Sequence, residues 1–225
     1  MWRKLLNAVY DKDADAVREL LNGGADPNAK DHTGCSLLFK AAASTPEILD
    51  LFLEHGADVD LAVEGRGGGN TLLHAAVRFG ENCKTLIDLG FDVNTRDDYG
   101  NTPLSFAAAY GSPDAIDVLL DAGSDIESAD EFGDTPLHKA VIENRYENAV
   151  LLIKRGADVN SRDTEGMTPL HAACKSKYQG ITKIAKLLVS AGADLGATDK
   201  RGRTPYGLAC DWERKRMMKF LEGLR

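Results

Sequence analysis

The 225 residues, 43% of them apolar and 28% charged, can form a continuous core and predict a soluble protein, and no run of 18 apolar residues is present to span a membrane. The net charge of −8 argues against nucleic-acid binding, because attraction to phosphate needs a basic surface. The four cysteines lack Cys-x-x-Cys spacing, which argues against a zinc site and suits a reducing compartment.

The first residues form an amphipathic stretch, Met1 to Val9, that runs into the acidic segment 11–15. A signal peptide would need a longer apolar run followed by a small-residue cleavage site. We therefore predict that this stretch is the first helix of the fold, and we expect a cytoplasmic protein.

A motif of the form Asp-x-x-Gly-x-Thr-Pro-Leu recurs about every 33 residues and is nearly complete at 97–104, 130–138 and 163–171. A second motif, Gly-x-Asp-x-Asn or a close variant, ends most of the units. A period of this length indicates a solenoid of small supersecondary units, none of which can bury its apolar face alone.

Each unit predicts two helices. A threonine stands at the N-cap position of the first helix, and the proline after it has its φ angle preset for the first helical turn. The first helix is short and rich in alanine, whereas the second carries larger apolar residues at helical spacing and should supply the core. The glycine after the second helix suits a left-handed C-cap. In the third unit Leu72 replaces the proline, and its second helix is expected to be about two residues short.

These motifs resemble the ankyrin repeat, and the resemblance covers essentially the whole chain. It implies an all-α repeat fold: a solenoid of helix-turn-helix units with short β-hairpin connections, in a single domain over 1–225. We number the units as 1–30 (N-terminal cap), 31–62, 63–96, 97–129, 130–162, 163–198 and 199–225 (C-terminal cap). The glycine-rich stretch 65–69 lengthens one hairpin and is expected to be a flexible finger, since no Gly-Lys-Ser/Thr follows to make a phosphate loop.

The resemblance also argues against catalysis. His74, His138 and His171 occupy one repeat position, where the family uses the imidazole to hydrogen-bond the Thr-Pro turn. We therefore expect no catalytic residue, no cofactor and no metal. The repeat places Cys35 on an exposed turn and the other three cysteines in the core. In an animal cell, Asn94 and Asn160 would hold the hairpin position that ankyrin proteins can have hydroxylated.

The family binds partners on a concave face made of the hairpin tips and the ends of the first helices. Units 3 to 6 place apolar side chains there at positions that the fold does not need to be apolar, which is typical of an interface. These are Phe79, Tyr99, Tyr110, Phe132, Ile142 and Met167. Polar and acidic residues surround them: Asp98, Asn101, Glu131, Asp134, Glu143 and Glu165. The basic terminal cap adds Arg201 and Arg203, although a solvated face is the simpler interpretation of that cluster.

Two interpretations of this surface remain open. Single aromatic rings can fold back onto the next unit, and Tyr99 and Phe132 are placed to stack on each other. If the rings are free, the chain is a non-catalytic module that binds another protein as a monomer. The alternative function is a dedicated inhibitor or immunity protein that blocks a toxin or an enzyme, for which acidic tips would suit a basic cleft.

Overall fold

The structure is a computed structural model that describes residues 1–61, 68–178 and 180–224. These residues form fourteen α-helices and one 3-10 turn at Val59–Leu61. The helices are α1 (Trp2–Asp11), α2 (Ala14–Asn22), α3 (Leu37–Ala42), α4 (Pro46–Glu54), α5 (Leu72–Ala76), α6 (Gly80–Asp88), α7 (Pro103–Tyr110), α8 (Pro113–Asp121), α9 (Pro136–Ile142), α10 (Tyr146–Lys154), α11 (Pro169–Lys175), α12 (Ile181–Ser190), α13 (Pro205–Asp211) and α14 (Lys215–Glu222).

The helices form two rows. Each odd-numbered helix contacts the next odd-numbered helix, each even-numbered helix contacts the next even-numbered one, and the two helices of a pair also contact each other. The apolar faces of both rows meet in one continuous core. Alanines such as Ala107 and Ala140 are fully buried in the odd row, and larger residues such as Ile116 and Leu152 are fully buried in the even row. The predicted all-α repeat solenoid is confirmed.

The Thr-Pro pairs begin helices α7, α9, α11 and α13, as predicted. At α7, for example, the Thr102 hydroxyl accepts a hydrogen bond from the Ser105 amide at 3.3 Å. The prediction of a shortened second helix in unit 3 was wrong, because α6 has nine residues, as α8 does. The shortening falls instead on α5, which has five residues and lacks the proline.

The connections before α3, α7, α9, α11 and α13 are tight turns centred on an aspartate. The Asp130 carboxylate accepts hydrogen bonds from the amides of Phe132 and Asp134, both at 2.9 Å, and the Asp130 amide donates to the Asp134 carbonyl. These turns close within five residues, which leaves no length for a β-ladder. Among the described residues only one isolated antiparallel bridge forms, between Lys30 and Ser36. The expected β-hairpins are therefore reduced to turns.

Neighbouring turns are joined by backbone hydrogen bonds. The Glu131 amide donates to the Tyr99 carbonyl at 3.1 Å, and the Thr164 amide donates to the Phe132 carbonyl at 2.8 Å. The predicted flexible finger at 65–69 lies largely outside the described residues. Its last part is described, and there the Asp98 amide donates to the Gly68 carbonyl at 2.9 Å. Among the described residues, the tips of units 3 to 7 are therefore held together along the stack.

Buried histidines join units 3, 5 and 6 to the unit that follows each of them. Nδ1 of His138 accepts from the Thr135 amide at 3.3 Å, so Nε2 carries the proton and donates to the Met167 carbonyl at 3.2 Å. His171 makes the equivalent pair of bonds to Thr168 and to the Arg203 carbonyl, and His74 does so in unit 3. The predicted turn hydrogen bond is confirmed, and the link to the following unit is an additional role.

Two buried asparagines, which the sequence did not single out, reach from one unit to the preceding unit. The side-chain amide of Asn148, on α10, donates to the carbonyls of Ala107 and Ala108 at 3.0 Å each, and so satisfies carbonyls at the end of α7. Asn82, on α6, donates in the same way to the Ala42 and Ser44 carbonyls at the end of α3. These bonds tie the second helix of one unit to the first helix of the preceding unit.

Replacing Gly133 by alanine tests the turn geometry. Gly133 has φ 79°, and a Cβ atom there would lie 2.6 Å from the Thr164 amide nitrogen. We expect Gly133→Ala to destabilise the fold by about 3 kcal/mol, from left-handed strain plus the clash with the next unit. Gly123 has φ 93° but no atom within 4 Å of a built Cβ, so Gly123→Ala should cost only about 1 kcal/mol. Urea denaturation of both variants measures the difference, and equal losses would contradict the clash.

The buried histidines predict acid sensitivity. Burial lowers the pKa of His138 and of His171 below the ordinary value of 6.5, because the imidazolium cannot be solvated there. Their contribution to stability is therefore present above pH 6.5 and is lost as the pH falls below that value. The urea midpoint should decrease when the pH is lowered from 7 to 5. The decrease should be smaller in the His138→Gln, His171→Gln double variant. An unchanged slope in that variant would assign the acid sensitivity to other groups.

Candidate functional site

The outermost tip position is the second residue after the turn aspartate. Tyr99 and Phe132 hold it in units 4 and 5, with 57% and 60% of their surface exposed. Their amides are bound to the aspartate, so the backbone is held while the ring points away from the turn. These two rings do not stack on each other or on another aromatic ring of the described residues. Asp98 and Glu131, one position earlier, are also exposed, as is Arg201 in the terminal cap.

The fourth residue after the aspartate is different, because its backbone closes the turn and draws its side chain inward. Asn101, Asp134, Met167 and Arg203 hold this position and are all only partly exposed. Arg203 forms ion pairs with Asp199 at 2.7 Å and with Asp211 at 3.3 Å. These side chains are partly used by the fold.

Cys35 holds the same position in unit 2 and is completely buried. Its amide donates to the Asp31 carboxylate at 3.1 Å, which turns the thiol inward. The expectation that Cys35 is exposed was therefore wrong. Cys210, expected in the core, is partly exposed at the C-terminal cap.

The ends of the odd-numbered helices present a second row of candidate binding side chains. Tyr110 is 55% exposed and Ile142 is 37% exposed, whereas Phe79 and Glu143 are partly buried. The Tyr110 ring packs edge-on against Phe106, with 5.9 Å between ring centres. Partial burial, and then the nearby charge of Glu143, raise the pKa of Tyr110. Its hydroxyl therefore stays protonated at neutral pH, so this position offers an apolar ring with a neutral polar edge.

A groove of about 590 Å³ lies where units 5, 6 and 7 meet. It brings together six of the residues predicted from sequence: Phe132, Asp134, Ile142, Glu143, Glu165 and Met167. The other eight, Phe79, Asp98, Tyr99, Asn101, Tyr110, Glu131, Arg201 and Arg203, do not line it. The predicted surface therefore divides into a groove over units 5 to 7 and a flatter row of exposed aromatic residues that extends into unit 4.

Nine groove residues lie outside the predicted binding set: Asp163, Thr164, Ala172, Lys175, Ser176, Lys177, Tyr178, Trp212 and Arg214. Trp212 lies eight residues after the helix-starting Thr204, as Tyr110 lies eight after Thr102. The rule that located Tyr110 would have found Trp212 if it had been applied to the terminal unit. Tyr178 belongs to the extra segment of unit 6, which has no counterpart in the other units, so no periodic rule could place it.

One wall of the groove is acidic. The Lys139 ammonium bridges the carboxylates of Asp130 and Asp134, at 2.5 and 3.4 Å. Burial would lower the pKa of Lys139, but the hydrogen bond to Asp130 and the charge of Asp134 outweigh that effect and raise it. Burial raises the pKa of Asp134 even beside this lysine. Glu143 and Glu165 have no ion-pair partner among the described residues, so they remain available to a ligand.

The other wall is basic. Lys175 and Arg214 each place their charge 5.9 Å from the centre of the Trp212 ring, which is 47% exposed. The Arg214 guanidinium donates to the Lys175 carbonyl at 3.2 Å, which holds the two segments together. Neither Lys175, Lys177 nor Arg214 has an acidic ion-pair partner in the described part of the chain. The groove thus combines an apolar surface with one acidic and one basic wall.

The described residues offer little for metal or covalent chemistry. They contain no group of three or more histidine, cysteine or acidic side chains that could hold a metal ion. Burial raises the pKa of the Cys83 and Cys174 thiols to about 12, so neither forms the reactive thiolate at neutral pH. In the same residues, no helix has the length and apolar composition that a membrane crossing requires.

The comparisons with known proteins agree with this architecture. A family model of ankyrin repeats matches the chain three times, over residues 5–97, 81–163 and 151–223. The chain belongs to the ankyrin repeat family. Ankyrin repeats are general protein-protein interaction modules and are generally non-catalytic. The hydrogen bonds of the fold account for the buried histidines and the turn aspartates.

The relatives are much longer proteins. The chain is 37% identical over 109 residues to the E3 ubiquitin-protein ligase Ufd4 of Drosophila melanogaster, which is 47% of the chain and 4% of the ligase. It is 35% identical over 112 residues to human neurogenic locus notch homolog protein 2, or 49% of the chain and 4% of that protein. It is 37% identical over 75 residues to the putative ankyrin repeat protein FPV234 of Fowlpox virus (strain NVSL), or 32% of the chain and 17% of the viral protein. The similarity thus covers only a small part of each relative.

The ion pair beside the groove can be tested by removing its cation. Lys139→Met would leave the Asp130 carboxylate, whose side chain is 1% exposed, without its ammonium partner. We expect a loss of about 2 kcal/mol, below the cost for a fully buried pair because Lys139 itself is 19% exposed. Arg155→Met is the matched control, since Arg155 pairs with Asp117 and Asp121 at the surface and should change the urea midpoint little. Equal effects of the two changes would contradict a structural role for Lys139.

Proposed function

We propose that this protein is a non-catalytic module that binds a partner protein, as a monomer, on the concave face of units 3 to 6. The observation that carries the proposal is the exposure of Tyr99, Tyr110 and Phe132, each of which has more than half of its surface accessible. Large aromatic side chains left this exposed at positions that the fold does not use are typical of a protein interface.

The backbone that carries these rings is held by hydrogen bonds and packing, which supports the proposal. The turn aspartates hold the backbone of Tyr99 and Phe132, and inter-unit hydrogen bonds join the two tips. Tyr110 is the last residue of α7 and rests on Phe106. A side chain with a fixed backbone and few rotatable bonds loses little conformational entropy when it is buried by a partner. Aromatic residues presented in this way are the type that most often dominate binding energy.

The relatives also support a binding role. Their names describe a ubiquitin ligase, a Notch protein and a viral ankyrin protein, and what they share with this chain is confined to a repeat region of 75 to 112 residues. A repeat region shared by proteins of such different kinds is better explained by recognition than by one common chemistry. The partner of this chain would be set by the residues that vary at the tips and at the helix ends.

Alanine substitutions of the exposed rings test the proposal. The partner is first captured from the native source by the wild-type protein and identified by mass spectrometry, and its affinity is then measured by calorimetry. Tyr99→Ala, Tyr110→Ala and Phe132→Ala should each weaken binding by about 2 kcal/mol or more, because a partner would bury these rings. The urea midpoint of each variant should stay close to that of the wild type, since the rings are exposed.

Charge changes provide the controls. Glu131→Lys and Glu165→Lys should alter the association rate and its salt dependence, since both side chains are exposed. Asp88→Lys, at an exposed position on the even-numbered helix α6, should alter neither. If all three alanine variants bind the partner normally while remaining folded, the proposed face is wrong. The basic cap around Arg201, Arg203 and Arg214 would then be the next candidate.

A further inference from the structure

Charged residues are distributed unevenly along the chain, so the two ends of the groove differ in charge. Unit 4 (97–129) contains seven aspartates and glutamates and no lysine or arginine, whereas units 6 and 7 (163–225) contain 12 basic and 7 acidic residues. The groove lies over units 5 to 7, where the chain passes into the basic region. Along the row of helix ends, the side chain that lines it is Glu143 in unit 5, Lys175 in unit 6 and Trp212 with Arg214 in unit 7. The sign of the charge therefore changes along the groove.

An apolar surface joins the two charged walls. Ile142 is 37% exposed, Tyr178 is 44% exposed and Trp212 is 47% exposed, and all three line the groove together with Phe132 and Met167. These residues come from three different units and from the extra segment of unit 6. Pockets of about 300–1,000 Å³ bury most of a drug-sized ligand. A groove of about 590 Å³ therefore has room for one bulky side chain and parts of its neighbours.

The cations of the basic wall have no anionic partner among the described residues. Lys175 and Arg214 flank the Trp212 ring, and Lys177 is exposed nearby, but no acidic side chain of the described residues neutralises them. On the acidic wall, Glu143 and Glu165 are similarly free, whereas Asp134 is already paired with Lys139. A ligand that supplies one carboxylate and one cation would satisfy both walls without disturbing an existing ion pair.

We infer that the groove over units 5 to 7 binds an extended segment of the partner protein with a defined polarity. The segment carries an aromatic or long aliphatic side chain that contacts Trp212 and Ile142. An acidic side chain on one side of this anchor meets Lys175, Lys177 and Arg214, and a basic side chain on the other side meets Glu143 and Glu165. The inference rests on the proposed function, and it names the kind of partner sequence and the part of the face that selects it.

Peptide selection tests the sequence class. A phage-displayed library of random twelve-residue peptides is selected on the immobilised wild-type protein, and phage that also bind the Trp212→Ala, Ile142→Ser variant are removed. Enriched peptides should share a bulky apolar residue with a basic residue on one side and an acidic residue on the other. Enrichment of sequences with no such charge polarity would overturn the inference.

Trp212 itself can report occupancy of the groove. The chain has two tryptophans, so in a Trp2→Phe protein Trp212 is the single emitter. Titration with a synthetic, tryptophan-free version of a selected peptide should change the Trp212 emission in a saturable way. A peptide that binds without changing this emission lies outside the groove.

A charge swap tests the basic wall directly. The Lys175→Glu, Lys177→Glu variant should bind the selected peptide at least about ten-fold more weakly, because two attractive contacts become repulsive. Changing the acidic residue of the peptide to lysine should restore binding to this variant and abolish it for the wild type. The matched control is Lys84→Glu, Lys154→Glu, which makes the same change in net charge at exposed positions of α6 and α10 that do not line the groove. Thermal midpoints show that the variants are folded.

The possible failures can be distinguished. If selected peptides lose affinity with Tyr99→Ala and Tyr110→Ala but not with the lysine swap, the proposed function stands and the groove inference is wrong. If no peptide is enriched while partner capture still depends on the exposed rings, the conclusion is the same. If the protein self-associates in analytical ultracentrifugation and Trp212→Ala abolishes the association, the occupant is a second copy of this chain. If neither peptides nor captured partners depend on either set of residues, both proposals fail.

Discussion

A single carbonyl oxygen in each of three units joins two kinds of hydrogen bond on which the stack depends. The carbonyl of Met167 accepts from the Asp163 amide of its own turn at 3.0 Å and from Nε2 of His138 in the preceding unit at 3.2 Å. The carbonyls of Asn101 and Arg203 are bound in the same two ways, with His74 and His171 as the second donors. One bond closes the turn and the other fixes the distance to the next unit. The shape of these three turns is therefore completed by the neighbouring unit.

This arrangement separates the structural positions of a unit from its free positions. The aspartate, the turn glycine, the threonine and the histidine are used by the hydrogen bonds of the stack, and the alanines are used by close contact between odd-numbered helices. The side chain of the second residue after the aspartate, and much of the side chain at the ends of the odd helices, is not used by these contacts and is left exposed. Side chains such as Phe132 and Tyr110 can therefore vary without disturbing the fold. The chemistry of the binding surface can change while the structural residues of the unit stay the same.

The groove forms where the regular pattern is broken. Unit 6 has an extra segment between α11 and α12, and it places Tyr178 beside the groove. Unit 7 ends α13 at Asp211, and Trp212 follows as its C-cap, flanked by Lys175 and Arg214. Regular units of the same length would present parallel rows of side chains with shallow spaces between them. The irregular segment and the terminal cap instead enclose a space that has two charged walls.

The sequence by itself determined the family, the all-α solenoid, the helix starts and the left-handed glycines, because each of these depends on local chemistry that recurs at a fixed period. It also located the exposed rings of Tyr99, Tyr110 and Phe132. It failed for Cys35 and for the length of α6, where the outcome depends on how a turn folds against its neighbours. Only the tertiary structure brought Trp212, Tyr178 and Arg214 into one groove with Ile142 and Met167. A periodic rule gives the position of a residue along the stack, but the direction of a side chain in an irregular segment is decided by contacts between units, which no single unit contains.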